Sequence, residues 1–183
     1  MTTTYLFTSL RLGFRNWTDA DIVPLATLNA DPEVMEFFPA IQELQQTKEF
    51  IARMQELMTT HGYCYYAVDL LHNGAFIGFI GLAEKTFEAA FTPCVDIGWR
   101  ISKEYWNKGY ATEGAQRCLK YALHNLSLPK VVALAPVVNV KSIRIMEKIG
   151  MKQAGTFNHP LLLTDQRLCQ CALYEALSEE WAS

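Results

Sequence analysis

A short turn around Gly109 carries residue types suited to binding a phosphate group. Residues 106–112 read Trp-Asn-Lys-Gly-Tyr-Ala-Thr, and the apolar spacing that follows predicts a helix over residues 111–125. Glycine adopts backbone angles closed to other residues and lets a ligand approach the main chain. Amides at the start of a helix lack partners within it, and the helix dipole favours an anion there. The turn therefore predicts an anion site built from main-chain amides, beside which Lys108 either adds a charge contact or is solvated.

Three further polar residues stand beside predicted strands and helices. Asp96 alternates with apolar neighbours in Val95-Asp96-Ile97, as a strand residue would. Asn139 and Ser142 follow the apolar segment 131–135 and stand at the start of another predicted helix. Side chains of these types cap helices and bond to neighbouring backbone groups as readily as they perform chemistry.

The periodicity of apolar residues predicts the elements that must position these groups. Strands are predicted over residues 10–17, 63–70, 75–83, 94–101, 131–135, 153–157 and 167–174, and helices over residues 18–30, 47–58, 111–125 and 141–148. Several strands followed by an alternation of strand and helix predict an α/β (mixed α+β) fold, with a mixed sheet covered by helices on both faces. No interior linker is visible, so we expect residues 1–183 to form a single domain.

Composition excludes several classes of protein. The chain has 183 residues, of which 50% are hydrophobic, so disorder is not expected. A net charge of -3 opposes nucleic-acid binding, which needs a basic surface. No signal peptide and no apolar run of about 20 residues is present, which predicts a cytoplasmic protein without a membrane partner. Five cysteines without Cys-x-x-Cys spacing predict reduced thiols and no metal site.

The order of these motifs resembles the GCN5-related N-acetyltransferases, the GNAT superfamily, which bind acetyl-coenzyme A. The likeness rests on the Gly109 turn, on Asn-x-x-Ser at residues 139–142 and on Glu-Lys-Ile-Gly at residues 147–150. Residues 26–35, Phe38-Pro39 and residues 157–160 add a likeness to the RimJ/RimL-like branch. The resemblance covers residues 10–174. It implies a mostly antiparallel sheet of six or seven strands.

The resemblance also implies which residues bind the coenzyme. The pantetheine arm would lie along the backbone of Trp99, Arg100 and Ile101. The pyrophosphate would meet the turn and helix start, that is Asn107, Lys108, Gly109, Tyr110, Ala111 and Thr112. Asn139, Ser142 and Met146 complete the implied set. The family usually has Gln or Arg followed by Gly where this chain has Trp106 and Asn107, and asparagine tolerates the positive φ that such a turn requires.

The chemistry implied is direct attack of a primary amine on the acetyl group in a ternary complex. A lysine-type amine has a reference pKa near 10.4, so a base or a water relay must remove a proton. Asp96 is the first candidate for that base, because the family often has a glutamate there; the alternative is that it only orients a substrate or backbone group. Many relatives protonate the leaving thiolate with a tyrosine, and Met146 holds that position here. Ser142 is the proposed replacement, unless it only caps the helix or bonds the coenzyme.

The acceptor amine stays open, as either a protein N-terminus or a small molecule. His159 belongs to a loop that approaches the acceptor in relatives, so it could contact substrate, relay a proton or make a structural hydrogen bond. Phe38 is a candidate for the acceptor pocket, although aromatic residues are more often core. The alternative function is a catalytically silent acyl-coenzyme-A-binding module, and family habit favours a homodimer.

Overall fold

The computed structural model describes residues 4–181, in which eight strands form one continuous sheet. The strands are β1 (Phe7–Thr8), β2 (Leu12–Arg15), β3 (Tyr65–Leu70), β4 (Phe76–Lys85), β5 (Cys94–Ile101), β6 (Lys130–Pro136), β7 (Lys152–Asn158) and β8 (Gln170–Leu177). The helices are α1 (Ile22–Asn29), α2 (Leu44–His61), α3 (Tyr110–Lys120) and α4 (Val140–Lys148). A π-helical turn, Tyr121–Asn125, continues α3. The strand order is β1-β2-β3-β4-β5-β6-β8-β7.

The predicted mixed fold with a mostly antiparallel sheet is confirmed, but the sheet has eight strands instead of six or seven. The additional strand comes from the first segment, where a single strand over residues 10–17 was expected. Instead, β1 and β2 pair as a hairpin, and the Ser9 amide donates to the Leu12 carbonyl at 2.9 Å. Ser9, Leu10 and Arg11 form the turn, and this sequence lacks the Asn-Gly or Asp-Gly pair that marks hairpins.

One face of the sheet is covered by α1 and α2. The Phe50 ring of α2 packs against Tyr65 and Phe79, with ring centroids 6.4 and 5.1 Å apart. This helix begins three residues before the predicted start, because Glu43 and Gln46 form a capping box in which the Glu43 amide donates to Gln46 Oε1 at 2.8 Å. We call this side the α1–α2 face.

The opposite face is covered by α3 and α4, which contact each other. At Gly114 of α3, a Cβ atom would lie 2.3 Å from Ile80 Cδ1 of β4, so a side chain there would force the helix away from the sheet. The small residues of α3 therefore let it lie close to the sheet, as their spacing predicts.

The sheet opens between its two central strands. β5 and β6 run parallel and pair only at Asp96 and Val132, whereas β6 pairs with β8 along its whole length. β5 continues for five residues beyond Asp96, to Ile101, and its edge toward β6 is not used for strand pairing there. None of the helices within residues 4–181 has both the length and the apolar composition needed to cross a bilayer.

Candidate active site

The turn before α3 has the geometry of an anion site. Gly109 precedes the helix with φ of 80°, and Asn107 has φ of 60°, so both adopt the left-handed conformation. The first helical bond runs from the Glu113 amide to the Gly109 carbonyl, and no side chain caps the helix start. The amides of residues 110–112 therefore point out of the helix without partners from it. Lys108 lies 5.4 Å from the Tyr105 ring, on the same turn.

Arg11 fixes this turn, and the sequence analysis did not identify it. Arg11 Nη1 donates to the Lys108 carbonyl at 3.0 Å, and Arg11 Nε lies 2.6 Å from Glu113 Oε2. Burial raises the pKa of Glu113, but hydrogen bonds from Ser9 and Arg11 outweigh it, so the carboxyl titrates below its usual range. These bonds join the β1–β2 hairpin to α3 across about a hundred residues of sequence, and no local pattern marks such a pairing.

The start of α4 is capped by Asn139. Its Oδ1 accepts a hydrogen bond from the Ser142 amide at 3.1 Å, which is the cap geometry expected of this residue type. The Ser142 side chain is half-buried, and its hydroxyl makes no hydrogen bond within residues 4–181. Met146 lies one turn further, is 1% exposed and packs in the hydrophobic core. Its place in the coenzyme site stays a prediction.

Asp96 stands at the point where β5 and β6 separate, with its side chain on the α1–α2 face. It is 6% exposed; the Tyr65 hydroxyl donates to its Oδ2 at 2.5 Å, and Lys85 Nζ lies 3.6 Å from the same oxygen. Burial raises the pKa of Asp96, and Lys85, Tyr65 and the Leu134 amide oppose that rise without cancelling it. Asp96 is therefore a buried carboxylate with increased proton affinity, which is a property of general bases.

Lys85 is a second residue that the sequence analysis did not identify. Burial lowers its pKa, but Tyr65 and Asp96 together raise it above the ordinary lysine value, so Lys85 is a cation at neutral pH. Its ammonium also lies 5.1 Å from the centroid of the Tyr65 ring. Lys85 is the last residue of β4. It pairs with Cys94 of β5, so it lies diagonal to Asp96 on the same face of the sheet. The predicted strand ends at residue 83, two residues before the observed end of β4, so the prediction did not include Lys85 in the sheet.

His159 and an aromatic cluster lie on the same side of the sheet as Lys85. The His159 ring packs against Phe87 and Phe157 with centroids 4.4 and 5.8 Å apart. Its Nδ1 accepts a hydrogen bond from the Leu161 amide at 3.2 Å, so the proton of the neutral ring is on Nε2. Burial and the charge of Lys85 lower the pKa of His159. The structure thus gives His159 a structural hydrogen bond and a position near the Lys85 end of the site.

The three residues implied for the pantetheine arm differ in their surroundings. Trp99 and Ile101 face α3 and α4, whereas the Arg100 side chain points to the α1–α2 face. The Ile101 carbonyl already accepts a hydrogen bond from Trp106 Nε1 at 2.7 Å. Lys141 lies 4.8 Å from the centroid of the Trp106 ring, which joins the turn before α3 to the start of α4.

Phe38 lies against the Arg100 guanidinium, whose Cζ is 4.1 Å from the ring centroid. It is half-buried and comes from the segment between α1 and α2. The site therefore consists of Asp96, Lys85, Tyr65, Arg100 and Phe38 on one face of β5, and of the Gly109 turn and the start of α4 at the other face. Amides at the turn can hold an anion, and the buried carboxylate can take a proton.

Comparison with known proteins finds acetyltransferases both by sequence and by fold. The model of the acetyltransferase (GNAT) domain matches residues 11–152. An uncharacterized N-acetyltransferase of Bacillus subtilis, YnaD, is 27% identical over 95% of this chain and 98% of its own length. A crystal structure of a GNAT-family acetyltransferase from Bacillus anthracis superposes with a TM-score of 0.79 at 26% identity, covering 94% of this chain and 98% of the other.

A third likeness concerns the fold alone. The crystal structure of spermidine N-acetyltransferase from Vibrio cholerae, in complex with CoA and spermine, has a TM-score of 0.75 at 18% identity. The match covers 94% of this chain and 98% of that one. The two proteins therefore share a fold.

Proposed function

Because the chain belongs to the GNAT family of acetyltransferases and is an N-acetyltransferase, we propose that it transfers acetyl from acetyl-coenzyme A to a primary amine by direct attack in a ternary complex. The observation that carries the proposal is the position of Asp96. This buried carboxylate stands where β5 and β6 separate, and the Gly109 turn follows the end of the same strand.

The Gly109 turn fits the pyrophosphate of the coenzyme. Its left-handed Gly109 and Asn107 expose the amides of residues 110–112 at a helix start, and Lys108 and Lys141 add positive charge nearby. A Cβ atom at Gly109 would lie 3.4 Å from Arg11 Nη2, so a larger side chain would press on the group that holds the turn. Acetyl-coenzyme A would supply the activated acetyl group.

Asp96 is proposed to accept the proton of the incoming amine. Its raised pKa gives the carboxylate a higher proton affinity than an exposed aspartate has, and the nearby charge of Lys85 favours its ionised form. The Tyr65 hydroxyl fixes the orientation of the carboxylate by its hydrogen bond to Oδ2. The acceptor therefore approaches from the α1–α2 face, where Phe38 and His159 could contact it.

Ser142 is proposed to protonate the leaving thiolate. The hydroxyl has no hydrogen-bond partner among the described residues, and the Ser142 amide is occupied by Asn139, so the side chain is available for a ligand. A serine hydroxyl is a weak acid, so a water molecule or the positive end of α4 would assist it.

Four finer predictions accompany this proposal. They are membership of the RimJ/RimL-like branch, a single domain over residues 1–183, a cytoplasmic location and a homodimer. The identity of the acceptor, as a protein N-terminus or a small molecule, is considered below.

Calorimetry with acetyl-coenzyme A, together with thiol release on a panel of amines, tests the proposal. Wild-type protein should bind the coenzyme and release thiol with at least one amine. Asp96→Asn should keep coenzyme affinity and lose turnover by about 10²- to 10⁴-fold, the usual range for general base catalysis, and higher pH should partly restore it. Binding without turnover on any amine would favour a silent binding module, and equal turnover at neutral pH would make Asp96 a structural residue.

A further inference from the structure

Arg100 is a buried cation without an anionic partner among residues 4–181. It is 8% exposed, and its Nη1 donates to Asn29 Oδ1 at 2.6 Å, which is the one hydrogen bond of its side chain in this part of the chain. Its Nε atom is buried and has no hydrogen-bond partner among the described residues. Burial lowers the pKa of Arg100 to about 10, so the guanidinium is still charged at neutral pH. A buried charge without a partner is costly, and natural proteins usually retain one for a ligand or a reaction.

Another arginine on the same face shows what a purely structural role looks like in this chain. Arg15 is also largely buried, but its guanidinium contacts two carboxylates, with Nη2 2.8 Å from Asp21 Oδ1 and Nε 2.7 Å from Asp69 Oδ2. Both of those carboxylates are 4% exposed, so the positive charge of Arg15 is compensated within the fold. Arg100 has no such carboxylate among the described residues; it lies between the Phe38 and Phe79 rings, 4.1 and 5.2 Å from their centroids.

The position of Arg100 connects it to the acceptor side of the site. Asp96, Gly98 and Arg100 alternate along β5 and share the α1–α2 face, so the Cα atoms of Asp96 and Arg100 are about 13 Å apart. Gly98 between them has no side chain, and the Tyr65 ring lies over it, with the hydroxyl that bonds Asp96 3.2 Å from the place of a Cβ atom. An acceptor whose amine lies near Asp96 would therefore pass over the Tyr65 ring to reach the guanidinium.

The charges on this face favour an acceptor with an anionic group. Arg15 is already paired with Asp21 and Asp69 in a separate group on this face. Of the site residues on this face named above, Lys85 and Arg100 are cations and Asp96 is the anion. A polyamine would bring several positive charges to a group of residues that already carries an excess of one. A carboxylate on the acceptor would instead supply the partner that Arg100 lacks, through charge-assisted hydrogen bonds.

We propose that Arg100 binds the carboxylate of the acceptor, an inference that rests on the proposed function. The substrate class is then amines that also carry a carboxylate, as amino acids do. The amine is oriented toward Asp96 and the carboxylate toward Arg100. Phe38 and Phe79 enclose the guanidinium and exclude water from the ion pair.

Matched acceptors test this proposal on the wild-type enzyme. Glycine, β-alanine, γ-aminobutyrate and phenylalanine would each be compared with the corresponding carboxamide and with the amine that lacks the carboxyl group, and spermidine would be included. The ratio kcat/KM is calculated per neutral amine, because the carboxyl group changes the amine pKa. At least one acid should exceed its amide by about 10- to 100-fold, the range of a charge-assisted hydrogen bond.

Two variants test whether Arg100 causes the preference for acids. In Arg100→Gln, the kcat/KM of the acid divided by that of the amide should fall to about one, mainly through a change in KM. Arg53→Gln is the matched control, because Arg53 is an exposed cation over the Phe50 ring of the same aromatic group and should leave the ratio as it is. Even if Arg100→Gln does not fold, the comparison of wild-type substrates decides whether the enzyme prefers acceptors that carry a carboxylate.

The outcomes separate this inference from the proposed function. Equal transfer to acids, amides and simple amines, or a preference for spermidine, overturns the carboxylate site and leaves acetyl transfer intact. An acid preference that persists in folded Arg100→Gln also overturns it. No transfer to any amine, with coenzyme binding retained, overturns the proposed function and this inference together.

Discussion

At the scale of single residues, burial and the charge of Lys85 act in opposite directions on the pKa of Asp96. Burial favours its protonated form, and Lys85 is the cation that opposes burial most. Tyr65 stays a neutral donor, since burial and the neighbouring Asp96 raise the pKa of its hydroxyl. If Asp96 is the base, as we propose, it should act only above its own pKa, and activity should fall as the pH drops through that value.

Lys85→Met tests this arrangement. Without this cation, less opposes the effect of burial on Asp96, so the pKa of Asp96 should rise further. The acidic limb of the kcat/KM profile should then move to higher pH. Lys48→Met on the exposed surface of α2 is a control for loss of one charge. The measurement is kcat/KM against pH for the three proteins. An acidic limb that does not move in Lys85→Met would contradict the role of this ion pair.

Ser142→Ala separates acid catalysis from coenzyme binding. If the hydroxyl protonates the thiolate, turnover should fall by about 10²- to 10⁴-fold with little change in coenzyme affinity. If the hydroxyl only bonds the coenzyme, affinity should fall instead, by about 0.5–1.5 kcal/mol. Turnover rates and calorimetric dissociation constants distinguish these results. Full activity in the variant would show that the thiolate takes its proton from solvent.

At the scale of elements, the Gly109 turn joins β5 to α3 and depends on the left-handed Gly109. Gly109→Val should weaken coenzyme binding by at least tenfold, because a β-branched side chain disfavours φ of 80° and blocks the approach of the pyrophosphate. Gly74→Val is the matched control: Gly74 also has positive φ, of 71°, but belongs to the turn between β3 and β4. Isothermal calorimetry measures the dissociation constant of the coenzyme for both variants. An unchanged dissociation constant in folded Gly109→Val would place the phosphate site elsewhere.

Local patterns predicted the elements better than the contacts between them. β5 has the predicted bounds, and α4 begins one residue early, because apolar alternation and the Gly150 stop are encoded within a few residues. The capping box of α2 is also local and could have been read from Glu43 and Gln46. Arg11 and Lys85 could not be identified, since their partners Glu113 and Asp96 become neighbours only when the hairpin and the strand register form.

At the scale of the whole molecule, the proposed function assigns the coenzyme and the acceptor to opposite faces of the sheet. The α3–α4 side presents helix starts with amides and nearby lysines, which suit the phosphates of a coenzyme. The α1–α2 face presents Asp96, Lys85 and Arg100, which suit an acceptor that bears both an amine and a carboxylate. The gap between β5 and β6 is where reactants from the two sides would meet.

The most direct test of this account follows an isotopically labelled acetyl group from acetyl-coenzyme A by mass spectrometry. Purified protein would be incubated with labelled acetyl-coenzyme A and the amine panel. The masses of both the amines and the intact protein would then be measured. The account predicts one labelled acetyl group on an amine, none on the protein, and strongly reduced product with Asp96→Asn. A label retained on one of the five cysteines, or released as acetate without an acetylated amine, would contradict direct transfer.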